Sequence, residues 1–409
     1  SVADPREGES MSFVDMLQRN LLRMYVYRYR SPGLLSQKGL MYDEWYFASR
    51  EELNDPIDMQ SKFEFPEDSK NTWFRVINSL WQNEFWSELA ASYFSSICPI
   101  SVEQLLEEYD QHSVKVVESI FKNCQINIAD LQQIGELQKQ LKALLSLYAP
   151  SAGYSVSLST CNNEMLMWSH YASSHAGYCL IYRPIDGYLY QCPSRTKNSL
   201  SVSRGHTSSI GNGFKVKAIE YENQLESIDA FCLLPSYNTG YKFETEEERL
   251  GFHAKIQSQL LTKNECWAYE KEARLLLPQP SKYISGESSL TNFQRLFHYD
   301  FNQVVGIIFG ARMKEHEKLA IKEIIDAKLE KRFRNLGGQS TKTHVFDFLY
   351  QQAEICSSSR VVRITDQELI SMGTPLKVGT EYYERQLKAW KEYKGVTVES
   401  GSYSYDAIP

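Results

Sequence analysis

Apolar and polar positions change their period several times along the chain. A short helix through Leu17, Leu21 and Leu22 gives way to alternation at Met24, Val26 and Arg28, which reads as a strand ended by Pro32 and Gly33. Leu40 to Phe47 reads as a second short strand. Glu51 to Pro56 is a turn in which Asn54-Asp55-Pro56 supplies side-chain caps and a fixed φ. Residues 67–148 lack turn punctuation and repeat apolar side chains every three or four positions, as in Val102, Leu105, Leu106, Tyr109 and again in Ile128, Leu131, Ile134, Leu137, Leu141. Ser101 and Gln104 add capping-box spacing, so this stretch is a helical insertion between strands.

Beyond Pro150 the texture changes. Tyr154 to Thr160 alternates like a strand, Glu164 to Ser173 suits a helix, and Gly177 to Tyr182 suits a buried strand. Ser194 to Gly213 is a Ser/Gly-rich surface loop. Lys215 to Tyr221 is strand-like, Glu246 to Leu261 helical, Ala273 to Leu277 a strand, Val304 to Gly310 a fully buried strand, and Lys314 to Arg332 a charged helix. Val361 to Ile364 adds one more strand. Strands scattered among helices, with neither regular βαβ spacing nor GxGxxG, indicate an α+β fold rather than a doubly wound sheet.

The domain reading is a lead-in and helix over 1–21, a mixed α+β body over 22–340 interrupted by the insertion 67–148, and an accessory segment over 341–409. The central sheet is expected from residues 22–48 and 152–312.

Composition narrows the function classes. Of 409 residues, 42% are hydrophobic and 13% aromatic, including 26 Tyr, which is too apolar for a disordered chain. Lys and Arg number 44 against 51 Asp and Glu, so no broad basic field for duplex nucleic acid is present. The eight cysteines come no closer than Cys179 and Cys192, thirteen apart, which leaves no CxxC for zinc or redox chemistry. With no signal peptide and no apolar run of about 18 residues, the expectation is a metal-free protein of the reducing cytoplasm, away from membranes. Walker A, GxSxG, HExxH and kinase motifs do not occur.

Three blocks concentrate polar and aromatic residues in segments that should be partly buried. On the first strand, Arg28 and Arg30 share a face with Met24 and Val26. A guanidinium there either finds an anion or is a snorkelling, ion-paired surface group. In Met165 to Gly177, His170 and His175 stand five apart, off the four-residue spacing of a zinc pair, so they are core histidines or His170 faces a ligand. In Trp267 to Leu277, read as a strand, Glu270, Glu272 and Arg274 point one way. Two carboxylates on one face repel, so either Arg274 neutralises them or they form a catalytic pair.

At the same blocks the chain resembles a bacterial family known as domain of unknown function 2971. The resemblance lies in Tyr27-Arg28-Tyr29-Arg30, Phe47-Ala48-Ser49 through Asn54-Asp55-Pro56, Met167-Trp168-Ser169-His170-Tyr171-Ala172 with His175 and Gly177, and Trp267 to Arg274. It spans residues 22–312. The family often has Lys where Arg28 stands, and 67–148 and the tail beyond 340 are individual to this chain.

The chain also resembles ADP-ribosyltransferases of the Arg-Ser-Glu type in the order of Arg28 or Arg30, Ser157-Leu158-Ser159-Thr160 and Glu270-Lys271-Glu272. That resemblance implies a cleft on a mixed, largely antiparallel sheet, with NAD as substrate. Arg28 or Arg30 would clamp the pyrophosphate, Ser159 and Thr160 would prop the cleft, and Trp168, Tyr171 or Trp267 would stack on nicotinamide. Glu272 would stabilise the oxocarbenium-like transition state, and Glu270 would face the acceptor. The implied function is NAD-dependent modification of a protein or nucleic acid, as in a bacterial toxin or phage-defence effector. Two other classes fit the same residues. One is a nucleotide or nucleic-acid binding module with Arg30, His170 and Arg274 on phosphate; the other is a hydrolase using Glu272 and His170.

Overall fold

Strand alternation places two different sets of side chains on the two faces of one sheet, and that sheet organises the molecule. The computed structural model describes residues 24–82, 84–97, 99–102, 105, 128–148, 153–201, 207–277, 289–334, 343–394, 396–399 and 402–404. The expected helix near Leu17 and the capping position Gln104 lie outside them.

The sheet has nine strands: β1 (Val26–Arg30), β2 (Tyr154–Ser159), β3 (Tyr178–Tyr182), β4 (Lys217–Ala218), β5 (Glu272–Leu277), β6 (Val304–Phe309), β7 (Phe348–Cys356), β8 (Val361–Ser371) and β9 (Thr374–Pro375). Their order is β4-β5-β2-β1-β3-β6-β7-β8-β9. Only β6 and β7 run parallel; every other pairing is antiparallel. The parallel pair needs a crossover, and the 20-residue helix α7 (Glu315–Arg334) lies between the two strands in sequence. The protein is thus α+β with a large mixed, mostly antiparallel sheet.

On one face, Val26, Val156, Leu158, Leu180, Leu275 and Ile307 form a core with Trp45, Phe47 and Phe297, covered by Ile321, Ile325 and Leu329 of α7. Helix α1 (Leu34–Met41) adds Leu40 to the same core. On the other face, Tyr29, Cys179, Ile181, Ile308 and Leu349 pack under helix α5 (Met165–Tyr171), which contributes Met167 and Trp168. Helix α8 (Glu381–Lys391) adds Tyr383 and Leu387 there. A third cluster belongs to the insertion. Helices α2 (Lys70–Trp81), α3 (Glu84–Ile97) and α4 (Ile128–Tyr148) enclose Trp73, Phe94 and Leu141 with Phe63, Phe65 and Phe231. Helix α6 (Glu246–Gln259) starts under a Thr245 cap with three glutamates in its first turn, where the helix dipole favours them.

Four expectations differ from the structure. Leu40 and Met41 end a helix, and the strand there is only Glu44–Tyr46, because the apolar run is too short for its period to decide. The Ser/Gly-rich segment 194–213 carries the paired strands Ser199–Ser201 and Thr207–Ser209. The central sheet does not stop at 312, since β7, β8 and β9 extend it within the segment expected to be accessory. Finally, Trp267 to Glu270 is not strand. Residues Glu265–Glu270 form a 3-10 turn, Lys271 adopts a left-handed backbone (φ 44°), and β5 begins at Glu272.

Candidate functional site

Register brings the site strands together. Ser159 of β2 stands opposite Tyr27 of β1 and Glu272 of β5, and Ser157 opposite Arg274. All five side chains share the sheet face under α5. A cleft of about 240 Å³ opens there, walled by Tyr27, Tyr29, Met167 and Tyr171 and floored by Ser157, Ser159, Asp58, Lys263, Glu270 and Glu272; Glu52, Leu53 and Asn54 form its rim.

The floor is a closed ion network. Arg274 is fully buried and engages all its donors. Nε donates to Glu272 Oε1 (2.6 Å), Nη1 to Asp58 Oδ1 (2.8 Å) and the Leu260 carbonyl (3.3 Å), and Nη2 to Glu272 Oε2 (2.9 Å) and Asp58 Oδ2. Lys263 Nζ points at three carboxylates, Glu270 (2.6 Å), Glu272 (3.3 Å) and Asp58 (3.6 Å), and stacks against the Trp267 ring at 4.7 Å. Three carboxylates therefore share two cations.

The two glutamates differ in consequence. Burial opposes ionisation of Glu272, but Arg274 and then Lys263 overcome it and hold its carboxyl down to about 2. Burial raises the pKa of Glu270 above its ordinary value, with Lys263 and Tyr171 only partly offsetting it. The Tyr171 hydroxyl donates to Glu270 Oε1 and accepts from Asn54 Nδ2 at 2.7 Å. Desolvation and the Glu270 carboxylate in turn push the Tyr171 hydroxyl pKa up.

Local structure explains why these groups meet. Ser159 Oγ donates to the Glu270 carbonyl (2.7 Å), and Thr160 donates to the Lys271 carbonyl from both its amide (2.9 Å) and its hydroxyl (3.1 Å). These bonds clamp the left-handed residue Lys271, a conformation costing roughly 1–2 kcal/mol in a non-glycine residue, and turn Glu270 inward. The Glu272 amide donates to Tyr221 Oη at 2.7 Å. Asn54 stands in a loop fixed by the Ser49–Glu52 capping box and by Asp55 Oδ1 accepting from Ile57 N (3.1 Å). After α5, Ser173, Ser174 and His175 are three consecutive left-handed residues. Their turn is tied back by His175 N donating to the Trp168 carbonyl and by the Ser169–His175 side-chain contact at 3.2 Å.

Of the residues singled out in the sequence, Glu270, Glu272, Ser159 and Tyr171 line the cleft, while Thr160 and Arg274 support it from outside and beneath. Arg28 and Arg30 do not reach it. Alternation sends them to the opposite face with Val26, where Arg28 Nη1 donates to the Glu44 carbonyl (3.2 Å) and burial lowers its pKa, and Arg30 stands across from Tyr178. Trp168 is fully buried, edge-on to Tyr29 with Nε1 bonded to the Asn162 carbonyl (2.8 Å). His170 is exposed beside Tyr269, and Trp267 covers Lys263 without lining the cleft. Arg28 and Arg30 lie on the opposite sheet face from Glu272, and His170 lies outside the cleft, so the expected single site of these groups does not form; Tyr27, Tyr29 and Tyr171 of the same blocks line the cleft with Glu270 and Glu272 instead. Asp58 and Lys263 carry no site reading in the sequence, and Asn54 enters it only as part of the Asn-Asp-Pro turn.

Fold and cleft together define an α+β protein with a tyrosine-walled, acid-floored site. The family model described as "Protein of unknown function (DUF2971)" matches residues 167–275, a span containing Tyr171, Lys263, Glu270, Glu272 and Arg274. The chain is similar to that family over this span, which holds most of α5, all of β3 and most of β5. No curated protein and no solved structure matches the chain. Among the described residues no helix is long and apolar enough to cross a membrane, and no group of three or more His, Cys, Asp or Glu is arranged to hold a metal ion.

Proposed function

We propose that the cleft takes the nicotinamide-ribose end of NAD and breaks its glycosidic bond, passing ADP-ribose to a macromolecular acceptor or to water. One observation carries this reading: two buried carboxylates, Glu270 at the end of a 3-10 turn and Glu272 at the start of β5, lie at the floor of a tyrosine-walled cleft beside Ser159 of β2. At about 240 Å³ the cleft is below the roughly 300–1,000 Å³ of typical ligand pockets and suits one ring and sugar, not a whole dinucleotide. In the reaction the C1′–N bond breaks with its electron pair going to the ring nitrogen, which leaves nicotinamide neutral. The positive charge passes to the ribose, where a preorganised carboxylate stabilises it. A nucleophilic oxygen or nitrogen then bonds to C1′ and loses its proton.

The geometry favours Glu270 for the ribose-facing role and Glu272 for positioning, because both oxygens of Glu272 are held by Arg274 whereas Glu270 meets only Tyr171 and Lys263. An enzyme of this kind would act as a toxin or in phage defence by modifying a macromolecule. Binding without turnover is the second reading, favoured by the complete neutralisation of Glu272.

Purified protein is incubated with NAD and cell lysate and read for released nicotinamide and for transferred ADP-ribose. Glu270→Gln should lower release by about a hundredfold or more, the effect of losing one preorganised electrostatic group. If wild type binds NAD without consuming it, the binding-module reading replaces this one; if it does neither, both are wrong.

A further inference from the structure

Asp58, Glu270 and Glu272 share Lys263 and Arg274, so the floor carries one excess negative charge when all five groups are ionised. Both cations are committed to carboxylates. The five N–H bonds of Arg274 are made, and Lys263 Nζ bonds Glu270 and Glu272 with the Asp58 carboxylate 3.6 Å away. The remaining lining residues bring no positive charge, and Glu52 at the rim adds a carboxylate paired outward with Arg295 at 2.5 Å. Arg28 and Arg30, the expected anion clamps, stand behind the sheet. Above this floor, Tyr27, Tyr29 and Tyr171 present three aromatic rings to the same small space.

An anion entering the cleft meets excess negative charge, with both cations already held by carboxylates. A cation meets carboxylates together with three tyrosine rings, the combination that binds organic cations. We propose that the cleft selects a planar, positively charged head group and excludes anionic ones. The shared chemistry is a delocalised cation, either a pyridinium from a nucleotide or a guanidinium from a protein side chain. Taken with the proposed function, on which the pyridinium source rests, this places the nicotinamide ring inside and the pyrophosphate outside the cleft.

The test is calorimetric titration of the full chain with four probes: 1-methylnicotinamide, methylguanidinium, neutral nicotinamide and ADP-ribose. At least one cation should bind about tenfold or more tightly than nicotinamide, and ADP-ribose should bind no better than nicotinamide. Tyr27→Leu should weaken the cation by about tenfold and leave nicotinamide less affected. Glu270→Gln, which conserves shape, gives the same readout if the first variant does not fold. Binding of nicotinamide or ADP-ribose as tight as that of both cations overturns the proposal, as does failure of both cations to bind at millimolar concentration. Cation binding without NAD turnover sinks the proposed function and leaves this inference standing. Binding of methylguanidinium alone points to a protein side chain as the source. Turnover of NAD without cation preference sinks this inference alone.

Discussion

Arg274→Met tests whether the floor of the cleft is held by charge. The substitution keeps length and apolar stem but removes five hydrogen bonds from a fully buried guanidinium, leaving Asp58 and Glu272 with Lys263 as their remaining cation. Breaking a buried pair from one side costs about 3–5 kcal/mol, because the surviving charge stays desolvated. A second route gives a similar figure. Glu272 is held at about 2 against an ordinary 4.5, a difference worth roughly 3 kcal/mol of stability.

The sign follows from the depressed folded-state value. This contribution is complete above 4.5 and is lost as pH falls from 4.5 towards 2, so the penalty of Arg274→Met should be largest at neutral pH and shrink in acid. Urea unfolding followed by fluorescence of the buried Trp45 and Trp168, one on each face of the sheet, reports the loss. Adding Glu272→Gln completes a double-mutant cycle in which the second change should cost less once Arg274 is gone. A loss below about 1 kcal/mol at neutral pH, or strict additivity in the cycle, would refute the reasoning.

Two further outcomes follow from the same geometry. Glu270 has a raised pKa and faces Lys263, Tyr171 and Glu272, with Tyr269 and Tyr221 nearby, so affinity for 1-methylnicotinamide should fall as pH drops through that raised value, above the usual carboxylate range. Tyr171→Phe removes a hydrogen bond that favours the ionised form and should move this limb to still higher pH, whereas Glu270→Gln should abolish it. At the strained turn after α5, a Cβ on Gly310 would stand 2.3 Å from the His175 carbonyl oxygen and 2.6 Å from that of Gly177. Gly310→Ala should therefore cost about 1–3 kcal/mol in thermal or urea melts, while Gly33→Ala, with no atom within 4 Å, should stay within about 0.5 kcal/mol of wild type.

Much of the sheet was legible because its strands carry their own period. The serines of β2 alternate with Tyr154, Val156 and Leu158, and β3 and β6 are continuous apolar runs. Alternation also separated Arg28 and Arg30 from Tyr27 and Tyr29. It did not say which set faces the cleft, and the chemical appeal of arginine for phosphate suggested the wrong face. Tyrosine is equally able to wall a site, and here the apolar neighbour Val26 told the truth about Arg28. The inward turn of Glu270 depends on a left-handed Lys271, a position with no glycine to announce it. Asp58 and Lys263 are ordinary charged residues in sequence, 205 positions apart, and acquire their role only when Arg274 and the glutamates are packed between them. β7 was missed because its polar residues Gln351, Gln352 and Glu354 interrupt the apolar pattern.

The edges of the nine-stranded sheet have a consequence for how the chain behaves in a crowded solution. Its outermost strands, β4 and β9, are two residues each, and β9 ends in Pro375, which has no amide hydrogen to donate. A sheet this wide would otherwise offer rows of unsatisfied peptide groups to any passing extended chain, the usual start of edge-to-edge polymerisation. Stubs and a proline answer this only in part: β9 pairs with Ile370 and Ser371 of β8 alone, and β4 with Ala273 and Arg274 of β5 alone. At one side the 11-residue β8 keeps most of its length, from Val361 to Gln367, without a second sheet neighbour among the described residues, and the charged side chains Arg363 and Asp366 on it discourage an added strand. The segment beyond 340 thus carries the long border of the sheet, on the opposite flank from the acid-floored cleft, and its charges are what stand against self-association there.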